Sequence, residues 1–208
     1  MKNITLIVLL VASAIITGCT LLNRTSVLDS NKQNFTSNSN TNTANVKSDY
    51  EIQQERESKR TSWISDKTSE LSKIPKSSKI TKQPYIKNLA VAFYKGEFEE
   101  TFTSTDSYIP TGAKAFTDEE AQTVILVKEK SEYYADYRVT GRRELVPAFI
   151  IYNEVIIIDR SIPAVIYRKT FAGKQPGKNI TVSEYDTVIN GEAPDDKVME
   201  FLNNLPRK

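Results

Sequence analysis

The sequence predicts an α+β protein: a mostly antiparallel β-sheet or small sandwich-like domain with a C-terminal helix, preceded by a disordered tether and a polar helix. Three observations predict it. Short β-branched and aromatic runs recur between turn residues from residue 86 to residue 185, the pattern of strands. Val198, Phe201, Leu202 and Leu205 repeat at i, i+3, i+4 and i+7, the spacing of one helix face. Residues 23–48 are dominated by Asn, Ser and Thr, and such a composition buries too little surface to offset the entropy of ordering.

At the N-terminus, Lys2 precedes an apolar run from residue 4 to residue 16. A helix crossing a bilayer needs about 20 apolar residues, so this run has the length of a signal-peptide core. Ile16-Thr17-Gly18-Cys19 follows, holding the single cysteine of the 208-residue chain. This stretch resembles the lipobox of bacterial lipoproteins. The resemblance implies cleavage between Gly18 and Cys19, a diacylglycerol on the Cys19 thiol, and acylation of the new amino terminus by a fatty acid such as palmitate. Two or three chains, at about 0.8 kcal/mol per buried methylene, hold a protein durably on a bilayer. Thr20, rather than Asp, follows Cys19. The resemblance therefore implies the outer membrane, with the domain facing the periplasm or the cell surface; a Gram-positive surface lipoprotein is the other possibility. With no second cysteine, no disulfide forms within the chain.

Residues 19–48 are expected to be the tether, with a root-mean-square span of about 30 Å. Asn34 and Asn179 begin N-x-T triplets, which matter only in a eukaryotic secretory context. Residues 49–84 follow as a polar helix and a basic connector. Ser48-Asp49-Tyr50-Glu51 reads as a capping box opening a helix to about Ser72, with Glu55 and Lys59 as an i,i+4 pair. Its apolar residues are sparse, so this helix lies in solvent, docks by a few anchors such as Trp63, or meets a partner. Lys73, Lys76, Lys79 and Lys82 follow at threefold spacing in a stretch where Pro75 and Pro84 disfavour a helix. In a polyproline II segment they line one edge, a candidate contact for anionic surfaces; the alternative is a solvated connector.

The compact domain is expected over residues 85–208. Residues 86–103 read as a hairpin, residues 123–127 and 133–139 as separate strands, and Thr117 to Glu120 as the cap of a short helix. The runs 148–152 and 155–158, split by Asn153-Glu154, read as a tight hairpin. Residues 164–171 and 179–185 flank a turn-rich stretch containing Gly173 and Gly177. Pro194, Asp195 and Asp196 suit the first turn of the last helix, and Pro206 stops it.

The chain has no histidine, which excludes Ser-His-Asp triads, Cys-His dyads and histidine-ligated zinc within it. Thr111 and Lys114 are a lone, weak match to a nucleophile-lysine pair. Glu99-Glu100, placed in a strand, point to opposite faces, while Asp118-Glu119-Glu120 and Asp195-Asp196 suit helix starts. No nucleotide-binding or calcium-loop pattern occurs. No enzymatic activity, metal or cofactor is expected. Tyr133, Tyr134 and Tyr137 beside Arg138, Arg142 and Arg143 form the one suggestive constellation, with Tyr133 and Tyr137 expected on one strand face and Tyr134 and Arg138 on the other. Aromatic and guanidinium groups together suit glycans or a protein hot spot; otherwise such tyrosines simply cover a sheet.

Without residues 1–18 the chain carries 27 basic against 26 acidic side chains, so no global field favours nucleic acid. These features lead to an expectation of a non-catalytic envelope lipoprotein, bound to the bilayer through Cys19 and to a protein partner as an accessory or assembly component of a larger cell-envelope complex such as a secretion, conjugation or pilus system. The alternative is a binding module for wall glycan, lipopolysaccharide or a host ligand.

Overall fold

A computed structural model describes residues 47–178, 183 and 186–208. Gly18, Cys19, the tether and the strand expected over residues 179–185, apart from Ser183, lie outside the described residues.

Helix α1 (Asp49–Leu71) opens with the expected capping box. The Glu51 amide donates to Ser48 Oγ at 3.3 Å, and the Ser48 amide donates back to Glu51 Oε2 at 2.8 Å. Glu55 and Lys59 pair at 2.7 Å. Among the described residues six strands follow: β1 (Leu89–Lys95), β2 (Thr103–Thr105), β3 (Ala121–Arg138), β4 (Leu145–Asp159), β5 (Ala164–Ala172) and β6 (Ile189–Asn190). Helix α2 (Asp195–Asn203) comes last, with Pro194 as its N-cap residue and Asp195 and Asp196 in its first turn. This is the expected α+β class, built on a single sheet rather than a sandwich.

The sheet runs β2-β1-β3-β4-β5, with β6 beside β4. The β1–β2, β3–β4 and β4–β5 pairs are antiparallel, whereas β1–β3 and β4–β6 are parallel. Central strands are buried on both faces. Ala90, Ala92, Ile125, Val127, Val155 and Ile157 pack against Val198, Leu202 and Leu205 at the α2 end. Their neighbours Val91, Phe93, Val124, Leu126, Ile156 and Ile158 pack with Ile64 and Leu71 of α1. Helices on both faces explain why these strands read as continuous apolar runs rather than alternating ones.

Several expectations are corrected. Asn153-Glu154 is no turn: β4 is one strand, in which Asn153 pairs with Glu129 and Phe171, and Glu154 with Lys128 and Thr170. Residues 123–127 and 133–138 likewise belong to the one strand β3. The return strand after β1 is Thr103–Thr105, while Phe98 is 95% exposed and Glu99-Glu100 lie in the connecting loop. Thr117 to Glu120 make a single turn with cap-like bonds, Glu120 Oε2 accepting the Phe116 amide at 2.8 Å.

The compact unit also begins earlier than residue 85, because α1 is part of it. Fully burying an Ile or Leu side chain contributes about 1.5–3 kcal/mol, and α1 buries Ile64 and Leu71. Polar contacts complete the docking. Arg60, 7% exposed, donates through Nε to the Ala115 carbonyl at 2.8 Å and pairs with Asp106 at 2.8 Å. Lys114 joins Asp106 at 2.8 Å to Glu57 at 2.9 Å, and the Arg56 guanidinium lies 3.7 Å from the Phe116 ring centroid.

Candidate functional site

A cleft of about 410 Å³ opens where the end of β1, strand β2 and the start of α2 meet. Tyr94 comes from β1, Glu129 from β3, and Asp195 from the first turn of α2. Tyr108 comes from the loop after β2, and its ring stacks on Tyr94 with centroids 6.1 Å apart and planes 23° apart. Each phenol serves one carboxylate: Tyr94 Oη donates to Glu129 Oε2, and Tyr108 Oη to Asp195 Oδ1, both at 2.6 Å. Asn153, fully buried, stands behind them. Its Nδ2 donates to Asp195 Oδ1 at 2.8 Å and approaches Tyr108 Oη at 3.4 Å.

The electrostatics follow from this placement. Burial first, and then the bonded carboxylate, pushes both Tyr94 and Tyr108 above the ordinary phenol value. Both therefore stay protonated and act as fixed donors. Thr103, Ser104, Thr105, Ser107 and Met199 complete the lining, which contains two acidic side chains and no basic one. The arrangement suits binding: two aromatic rings with aligned carboxylates in a volume typical of small-ligand pockets, roughly 300–1,000 Å³.

None of these five groups was singled out as a site from the sequence, where Asp195 reads only as a helix-start acid. One signal was present. Asn153 interrupts an otherwise apolar run, and a buried polar residue inside such a strand must find partners.

The residues singled out by sequence scatter. Trp63 is occupied by its own domain: partly buried, it donates Nε1–H to the Phe116 carbonyl at 2.7 Å, so docking rather than a free partner contact explains it. Lys73, Lys76, Lys79 and Lys82 are exposed and make no ion pair among the described residues. Their segment is no free polyproline ridge. The Lys79 amide donates to the Val165 carbonyl at 2.8 Å and the Thr81 amide to the Ile166 carbonyl at 2.9 Å, which holds residues 77–81 along the edge of β5.

The tyrosine face divides. A bulge between Tyr133 and Ala135 inserts one residue into β3, and the pleat then changes sides. Tyr133 meets Phe149 edge-on, whereas Tyr137 packs against Val146, Ala148 and Ile189 on the other face. Arg138, opposite Leu145, falls on the side of Tyr133 rather than of Tyr134. Arg142 holds the backbone near residue 183, donating to the Ser183 and Asp186 carbonyls at 2.6 Å each. Lys114 is committed to Glu57 and Asp106, so it forms no nucleophile pair with Thr111. Asp118 pairs with Lys67 and Arg160.

A second feature concerns the long β3–β4 ribbon. β1 accompanies β3 only over residues 121–128, and β5 accompanies β4 only over residues 152–159. Residues 129–138 and 145–151 thus continue as two strands beyond the main sheet, with β6 touching at Ala148 and Phe149. Among the described residues no strand pairs with the outer edge of β3 past Lys128, and Tyr133, Tyr134 and Leu145 are exposed there.

Comparison with protein-family models, with curated proteins and with solved structures returned no match.

Proposed function

We propose that this protein is a lipid-anchored envelope lipoprotein that acts without catalysis, as an accessory or assembly component of a larger envelope complex such as a secretion, conjugation or pilus system. The observation that carries the reading is the outer edge of β3 over residues 129–138, with which no strand pairs among the described residues. Unpaired strand edges accept an extended segment of another protein, whose main chain supplies the affinity. Glu129, Lys130, Glu132, Asp136 and Arg138 along it, together with the bulge, disfavour indiscriminate self-pairing and select a partner of matching charge. The lipobox at Cys19 supports the envelope address.

Photocrosslinking from Glu132 and Arg138 in intact cells tests this reading, with Lys59 on the exposed part of α1 as control. A reproducible protein neighbour recovered from the ribbon positions and not from Lys59 is expected. Adducts that are absent, or equally abundant from Lys59, overturn it.

Lys73, Lys76, Lys79 and Lys82, exposed and without an ion pair among the described residues, favour a second reading, binding of anionic wall polymer or lipopolysaccharide. It requires binding to purified polymer that persists at physiological salt and is lost on replacing the four lysines by glutamine.

A further inference from the structure

We propose that the cleft between Tyr94, Tyr108, Glu129 and Asp195 is a binding site for the ammonium group of a small organic cation. The argument begins with an imbalance of acceptors. Tyr94 and Asn153 with Tyr108 engage one oxygen of Glu129 and of Asp195 respectively; Glu129 Oε1 and Asp195 Oδ2 have no hydrogen-bond partner among the described residues. Asn153, with 0% exposure, stands behind the cleft wall and donates through Nδ2 to Asp195 Oδ1, which fixes the carboxylate and leaves its second oxygen free. Two unclaimed carboxylate oxygens and no lining base call for a ligand that donates hydrogen bonds and is positive in charge.

Shape and rings narrow the class. The two stacked phenols offer π faces to a cation, and 410 Å³ holds a single side chain or one sugar ring rather than a polymer segment. Both carboxylates are already oriented by protein donors, so little ordering opposes binding. An anion meets only like charge there. The ammonium could be carried by a polyamine, by an amino sugar or by a lysine side chain, all of which share this chemistry.

The test is calorimetric titration of the full-length lipoprotein in detergent with spermidine, glucosamine, Nα-acetyl-lysine methylamide and neutral N-acetylglucosamine. Saturable binding of one or more ammonium probes is expected, with the tightest of them identifying the source. It should weaken about tenfold or more in Glu129→Gln, the loss of one charge-assisted contact. Ser104→Trp, which narrows the cleft without removing a carboxylate, should weaken it too, and unchanged melting temperatures establish that both variants are folded. The proposal is overturned if no ammonium probe binds at millimolar concentration, if N-acetylglucosamine binds as well as glucosamine, if calcium ion alone binds in competition with every probe, or if both folded variants bind like the parent chain.

Discussion

Arg60 shows how a single polar residue on a sparse helix can decide its docking. Its guanidinium is buried, yet its partner Asp106 remains half exposed, with a side-chain exposure of 50%. Breaking a fully buried pair costs roughly 3–5 kcal/mol, and water at Asp106 reduces this. Arg60→Met is therefore expected to lower unfolding stability by about 2–3 kcal/mol, read as a lower urea midpoint at unchanged slope. The carboxylates extend the argument to pH. Burial raises Asp106, Asp118 and Asp159, but stronger bonds from Lys114 and Arg60, from Lys67 and Arg160, and from Ser161 and Tyr85 hold each below the ordinary value. A lowered folded value means that the unfolded chain binds the proton more tightly. Their stabilisation is complete above the unfolded value, about 3.9, and is lost as pH falls through the lower folded values. Thermal melts are expected to be nearly flat from pH 7 to about 5 and to fall steeply below about 4, less steeply in Asp118→Asn.

At the scale of elements, the long strands β3 and β4 depart furthest from a local reading. Asn153-Glu154 resembles a turn because two polar residues split an apolar run. In the fold, Asn153 donates through Nδ2 to Asp195, and Glu154 lies 3.9 Å from Lys130 and 3.8 Å from Arg168 across the neighbouring strands. The bulge in β3 has no sequence signature either, although it separates Tyr133 from Tyr137. Close crossing of two loops sets a further constraint. A Cβ on Gly173 would lie 2.1 Å from the Glu192 carbonyl oxygen and 2.7 Å from that of Ile151, both backbone atoms. Gly173→Ala must displace the crossing that positions β6 and the entry to α2, and is expected to cost roughly 1–3 kcal/mol, measurable as a lowered melting temperature. Gly141→Ala, with φ of +86° but nothing within 4 Å, should cost only about 1 kcal/mol.

For the whole molecule, the sheet holds α1 and α2 on opposite faces and leaves the β3–β4 ribbon beyond both helices. The proposed lipid anchor involves a different part of the chain. Cys19→Ala is expected to move the protein from the membrane fraction to the soluble fraction of the envelope, because no acyl chain is then attached. Equal retention of this variant and the parent chain on membranes would remove the anchor from the proposed function while leaving the ribbon untouched.

The sequence by itself determined the α+β class, the capping box, the strands β1 and β5 and the final helix, since each rests on short-range spacing or a contiguous motif. It also excluded histidine-dependent chemistry. Only the tertiary structure decided that α1 belongs to the core, that Trp63 faces Phe116, and that Tyr94, Tyr108, Glu129, Asn153 and Asp195 share a cleft. Those residues are far apart in sequence and sit in different elements. Their proximity follows from strand order and from the parallel return of β3 beside β1, which local periodicity does not encode.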